Sequence, residues 1–235
     1  MPLFLRNRNT RLREIMDDDN CDLQMLERTY QNFTVINKLL SGWERVFDEY
    51  IKPLCPDNSQ TYSLLDIGFG GGDIPVLMHN LAKKHGIQLN ITAIELDERA
   101  LKYVQKQSFP VEINFRIVSE QTLIDEEKQF DFVISNHLMH HLTENELVTL
   151  MKNTSRLATK CIIFNDLSRS ILAWMLFNFL TLFAFKNSFI RTDGLRSIRR
   201  SFTASELQLL SPNGWSARSL FPFRLLAICD KTEMA

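Results

Sequence analysis

From residue 61 onward the apolar positions of this chain follow two alternating rhythms: short unbroken runs, and longer stretches in which they recur every three or four residues. The runs fall at residues 62–67, 91–95, 113–118, 130–135 and 161–165, and the periodic stretches at 74–85, 99–106 and 144–157. Buried-strand runs interleaved with helical stretches predict a parallel sheet covered on both faces. Two further runs, 217–221 and 225–229, are separated only by Pro222, Phe223 and Arg224. A parallel return needs about a dozen residues, so these two pair as a hairpin and the last strand runs antiparallel. The expected fold is α/β, a doubly wound and mostly parallel seven-stranded sheet with an antiparallel last strand.

Two segments lie outside this rhythm. Ahead of the first strand, Leu23, Leu26, Tyr30, Phe33, Ile36, Leu39 and Leu40 fall at three- and four-residue steps, which predicts an amphipathic helical cap over residues 1–60. Pro53 and Pro56 end the helix that follows and lead into the first strand. Between the fifth run and the hairpin comes an insertion, residues 167–211, expected to act as a lid on a domain of residues 61–235. Its apolar run, 171–185, falls short of the roughly 20 residues a membrane span needs and contains Asn178 and Thr181. A buried or substrate-covering helix is the better reading, with weak membrane association left open. Further on, Thr203-Ala204-Ser205-Glu206 reads as a capping box opening a helix through Leu210.

Composition narrows the partners. At 45% hydrophobic and 23% charged the chain is ordinary globular material, and a net charge of −1 supplies no general field for nucleic acid, so none is expected as a partner. The 17 phenylalanines point to apolar surface that meets an apolar ligand. Cys21, Cys55, Cys161 and Cys229 are widely spaced, which predicts neither a metal site nor a disulfide framework and fits a reducing cytoplasm. The first residues carry charge from Arg6 onward and no leader-length apolar core, so a cytoplasmic location is expected. Oligomeric state is left open.

The candidate chemistry begins where the first strand breaks into Asp66-Ile67-Gly68-Phe69-Gly70-Gly71-Gly72-Asp73. Glycine is costly to order, so four within five positions predict a tight turn approached closely by a ligand. Counted from Gly68, the dinucleotide fingerprint requires a third glycine at position 73, where Asp73 stands, and no Gly-Lys-Ser/Thr ending makes it a phosphate loop. The pattern is instead Asp66-x-Gly68-x-Gly70-x-Gly72. With Glu95 closing the second strand and Phe130-Asp131-Phe132-Val133 leading to His140-His141-Leu142, the chain resembles the class I S-adenosylmethionine-dependent methyltransferases, in their small-molecule branch.

The resemblance implies S-adenosylmethionine as cofactor. It implies contacts from Asp66 to the methionine ammonium, from Gly68, Gly70 and Gly72 along the turn, and from Glu95 to the ribose hydroxyls. Leu96 is placed to pack on the adenine, and Asn136 ends the fourth strand beside the cofactor. Where the family commonly carries an acid bonding the adenine amino group, this chain has Ser119-Glu120, either of which could substitute.

At the reacting end the resemblance puts His140, His141 and Asp166. A histidine titrates near neutral pH and so suits a general base, with Asp166 to orient it; His137 is more a wall of the site. The insertion, with Asp193-Gly194 and Arg199-Arg200-Ser201-Phe202-Thr203, is similar to a bacterial subgroup associated with polyketide and quinone-type pathways. A hydroxyl of an aromatic, quinone-like or polyketide acceptor is then expected, and the arginines either bind an anionic group on it or pair with Asp193 and Glu206. RNA or protein as acceptor, and a non-catalytic cofactor-binding module, remain as alternatives.

Overall fold

The structure is a computed structural model and describes residues 3–182 and 184–232; Phe183, within the long apolar run, lies outside the described residues. Its centre is a sheet of β1 (Thr61–Ile67), β2 (Gln88–Glu95), β3 (Asn114–Ile117), β4 (Phe130–Asn136), β5 (Ala158–Leu167), β6 (Trp215–Leu220) and β7 (Arg224–Asp230). Their order is β3-β2-β1-β4-β5-β7-β6, with β7 antiparallel to both neighbours and the first five strands parallel. This is the architecture expected from the two rhythms.

The central strands are apolar on consecutive residues because helices cover both faces. Leu64 and Phe132 join a core with Met78, while their neighbours Leu65 and Val133 join a second core with Met151 and Ile162. Among the described residues ten α-helices serve these faces and the open end of the sheet: α1 (Leu3–Arg6), α2 (Leu23–Leu40), α3 (Trp43–Val46), α4 (Asp73–Lys84), α5 (Glu98–Val104), α6 (Glu120–Asp125), α7 (Glu144–Leu157), α8 (Ile171–Leu180), α9 (Ile190–Arg200) and α10 (Ala204–Leu210). The six-residue α6 is too short to show a helical period, and Ser119 caps its N-terminus by accepting from the Thr122 N–H.

Three features depart from the expected cap and lid. The amphipathic face of α2 is divided: Leu26 and Tyr30 are buried, whereas Leu23 and Leu39 face solvent. Residues 7–22 form no helix and instead make a strap laid on α9. The Asp193 carboxylate accepts the N–H groups of Ile15 (2.8 Å) and Met16 (3.0 Å), and Arg200 donates to the Leu12 carbonyl (2.6 Å). Two of the four arginines of the basic cluster are therefore spent on backbone, with Arg196 also donating to the Arg13 carbonyl (2.8 Å) and lying 3.6 Å from Asp193. Finally, α8 is not a buried helix: among its residues only Ala173 is fully buried. It packs on α9 at Gly194, where a Cβ would come within 2.4 Å of the Phe177 ring. The capping box of Thr203 and Glu206 opens α10 as expected, and Leu207 roots that helix in the core beside Phe202 and Trp215.

Candidate active site

A cavity of ≈ 380 Å³ lies beyond the carboxyl ends of β1, β2, β4 and β5, where ligands sit in open α/β sheets. Its floor is the turn after β1. Gly70 takes a φ of +48° and faces the cavity, and a Cβ on Gly71 would stand 2.9 Å from the Tyr30 side chain, so the turn admits both the reversed backbone and the approach of α2. Gly72, by contrast, starts α4 and does not line the cavity. Glu95 pins the turn to β2: one carboxylate oxygen accepts the Gly70 N–H (3.3 Å) and the other the Leu96 N–H (2.8 Å).

Three acids converge here. Asp66 is 1% exposed, and neither carboxylate oxygen has a hydrogen-bond partner among the described residues. Burial, with Asp73 and Glu95 nearby, holds its pKa well above the ordinary range. Burial also pushes Asp73 up to about 6, against the opposing hydrogen bond from the Asn37 amide (2.9 Å), and raises Glu95. Three acids resisting ionisation around one turn form a site short of positive charge.

S-adenosylmethionine fits this deficit. Its sulfonium and ammonium outweigh its carboxylate, so binding brings a net positive charge to the acids, while a dinucleotide would add phosphates to them. Glu95 could hold a ribose diol, and Asp66 and Asp73 could supply negative charge toward the ammonium, Asp66 from behind the turn, since it does not line the cavity. Gly68, Gly70, Glu95 and Asn136 are brought together on the cavity wall. Leu96 is 72% exposed, Ser119 is occupied as a helix cap, and Glu120 accepts from Asn153 (3.0 Å); none of the three lines the cavity.

At the other end of the cavity stands Arg224, at the start of β7 and 3% exposed. Its guanidinium donates to Asn165 Oδ1 (2.8 Å), Asn136 Oδ1 (2.9 Å) and His137 Nε2 (3.0 Å), and makes no direct ion pair among the described residues. Burial lowers its pKa to about 10, with Asp166 opposing, so it is a cation at neutral pH. His137 holds a left-handed backbone, φ +60°, which is uncommon outside glycine and marks a strained position. Burial and then Arg224 push its pKa well below the usual imidazole value, so it is neutral and accepts a hydrogen bond from Arg224.

The two expected bases differ in surroundings. His140 is buried with both ring nitrogens engaged, Nδ1 by Asp166 (2.7 Å) and Nε2 by Glu14 of the strap (3.1 Å). Burial would lower its pKa, but the carboxylates outweigh burial and push it to about 9. It is a cation bridging two acids, an arrangement that leaves no lone pair for a substrate proton. His141 is half-buried on the cavity wall, with Nδ1 3.3 Å from Asp17 and Nε2 3.8 Å from Glu14. Asp166 is fully enclosed behind His140. Glu14, Asp17, Asn37 and Arg224 were not singled out by the sequence reading. Arg224 carried a usable signal, a charge at the head of the apolar run 225–229, whereas the partners of Glu14 lie 126 and 183 residues away.

Residues 64–160 match a family described as Methyltransferase domain. The ribosomal RNA small subunit methyltransferase G of Dinoroseobacter shibae is 27% identical over 111 residues, 43% of this chain and 55% of that protein. The ubiquinone/menaquinone biosynthesis C-methyltransferase UbiE of Rickettsia bellii is 27% identical over 106 residues, 43% of this chain and 42% of that one. The chain thus matches about half the length of these relatives. Among solved structures, human N-acetylserotonin methyltransferase in complex with SAM superposes with a TM-score of 0.62 at 12% identity, covering 89% of this chain and 56% of that chain. The plantazolicin methyltransferase BpumL, in complex with a triazolic desmethylPZN analog and SAH, gives 0.56 at 15% identity, covering 87% and 88%. Both likenesses show the fold.

Proposed function

We propose that this chain, which carries a class I S-adenosylmethionine-dependent methyltransferase domain, transfers a methyl group to a hydroxyl of a small apolar acceptor of aromatic, quinone-like or polyketide type. One observation carries the reading: the cavity joins the acid-rich glycine turn to an apolar wall of Phe33, Ile36, Leu40, Phe177 and Ile198, with the Arg224 cation between polar partners at β4 and β5.

When bound, the cofactor supplies an electrophilic methyl group. The chain's own residues do the rest. Glu95 and the glycine turn fix the donor's orientation, and holding donor and acceptor together can supply effective molarities of roughly 10⁵–10⁸ M. Arg224 stabilises negative charge on the acceptor oxygen and so favours its ionised, nucleophilic form. His141, steadied by Asp17, takes the hydroxyl proton; His140 positions the strap and is not asked to move a proton. The apolar wall excludes water and favours a flat, lipophilic acceptor over a nucleic acid, whose phosphates would call for a basic face.

Incubation with methyl-labelled S-adenosylmethionine and a panel of phenols, hydroquinones and polyketide phenols tests the proposal. Label appearing as an aryl or alkyl ether on members of the panel is the expected result. Label entering only RNA or protein, or no transfer despite cofactor binding, overturns it in favour of the corresponding alternative.

A further inference from the structure

The long apolar run of the lid does more than cover the cavity. On α8, Leu172, Met175, Leu176, Phe179 and Leu180 are all exposed, at steps of three, one, three and one. That is the stripe an amphipathic helix ordinarily turns to a core, and here it faces outward. Leu180 and Phe179 are 62% and 65% exposed, a state in which single residues are commonplace but a five-residue stripe is not.

The stripe is continuous with the cavity. Leu176 and Leu180 line the cavity and are exposed, and so is Leu40 at the end of α2. Pro222 and Phe223 line it from the hairpin turn, and the preceding Phe221 is 85% exposed. The Phe4 ring extends the surface, packing edge-on against Trp174 of α8 at 5.3 Å. Three separate parts of the chain thus present apolar side chains around one opening.

Charge is segregated in the same place. Although the chain carries 28 acids against 27 basic residues, no Asp or Glu occurs in residues 28–43 or 167–192. The exposed charges of these segments are basic, among them Lys38, Lys186 and Arg191, the last bonded to Asn178 of α8 at 3.0 Å. An apolar stripe fringed with lysine and arginine is complementary to an anionic bilayer surface, where the stripe enters the acyl boundary and the cations meet the headgroups. No helix among the described residues is long and apolar enough to cross a membrane, so the contact is peripheral.

We propose that the outward face of α8, with the neighbouring ends of α2 and the β6–β7 turn, docks the protein on anionic lipid bilayers with the cavity mouth against the membrane. The docking goes beyond the reaction proposed above. Its consequence, entry of a lipophilic acceptor directly from the bilayer, rests on that reaction.

Co-sedimentation with vesicles of phosphatidylcholine alone, or mixed with phosphatidylglycerol, tests the docking without any acceptor. The whole chain is expected to sediment with the anionic vesicles and to be released by salt. Met175→Glu combined with Phe179→Glu, neither of which lines the cavity, is expected to lower the bound fraction by at least about tenfold. Calorimetric titration with S-adenosylhomocysteine and the circular dichroism spectrum serve as fold controls and are expected to stay unchanged. No sedimentation of the wild-type chain, equal sedimentation of wild type and variant, or equal binding to both lipid compositions overturns the proposal. So does a dimer in analytical ultracentrifugation that the double variant splits while neither form binds vesicles, since a second copy then covers the face. Vesicle binding without any methyl transfer leaves this proposal standing and removes the reaction proposed above.

Discussion

Asp166 grips His140 twice, taking the ring Nδ1 proton at 2.7 Å on one carboxylate oxygen and the backbone N–H at 2.8 Å on the other. The opposite ring nitrogen faces Glu14, which also accepts from Ser197 of α9 at 2.6 Å. One imidazolium thereby ties the end of β5 to the N-terminal strap and, through it, to the lid. The histidine that the motif offers as a base is held between two acids, with neither ring nitrogen free.

Removing the bridge leaves two buried acids without their cation. His140→Ala is expected to cost about 3–5 kcal/mol in urea-unfolding free energy, because a buried charge deprived of its partner keeps its desolvation cost. His141→Ala, at a half-buried position, is expected to lower methyl transfer with little change in the unfolding midpoint. The reverse pattern, an intact midpoint for His140→Ala with transfer lost, would return the base role to His140.

The bridge also has a pH signature. Its folded-state pKa of about 9 lies above the ordinary 6.5, so the stabilisation is complete below about 6.5 and is lost as pH rises through 9. Limited proteolysis within residues 7–22 is expected to accelerate between pH 7 and pH 10. His140→Gln should cut at a rate independent of pH over that window; equal pH dependence in both proteins would show that another group governs the strap.

At the glycine turn, Asp66→Asn separates stability from binding. Because the folded-state pKa of Asp66 is raised, its ionised form costs stability at pH values above its ordinary pKa. The amide removes that cost, so the ligand-free protein is expected to melt at a higher temperature at pH 8. Affinity for S-adenosylmethionine, measured by calorimetry, is expected to fall.

Cofactor affinity is expected to weaken in acid for the same reason. With Asp73 at about 6, a cationic ligand must displace a proton from the turn once pH drops below that value, and Kd is expected to rise up to tenfold per pH unit. Glu95→Ala is expected to raise Kd by about 10- to 100-fold, the worth of hydrogen bonds to a carboxylate. A flat Kd from pH 8 to pH 5 would contradict the charge argument.

Arg224→Met removes the cation at the reacting end. Transfer to a phenol is expected to drop by about 10²-fold or more in kcat, the scale seen when one oxyanion donor is lost. The loss should shrink for nitrophenols, which ionise unaided near neutral pH. A uniform loss across phenols of different acidity would assign Arg224 to holding Asn136 and His137 in place.

The sequence by itself determined the sheet, the antiparallel hairpin and the glycine turn, because each depends on local spacing. Runs of buried residues, a three-residue connection and glycines where L side chains do not fit all leave marks within a few positions. Gly70, Glu95 and Asn136 could be placed together at one cavity because each lies at or just beyond a strand end fixed by that spacing. What only the tertiary structure decided was which polar groups meet. Glu14 has no local signal of its role, since its partners His140 and Ser197 come to it through folding. Ser119-Glu120 looked available for the adenine until α6, too short for a period, claimed one as its cap and Asn153 the other. The apolar stretch over α8 read as a buried or substrate-covering helix; it does line the cavity, and packing against α9 at Gly194 fixed which face turns outward. Periodicity records that a helix has an apolar face, but the partner for that face is chosen by shape and charge brought together from distant parts of the chain.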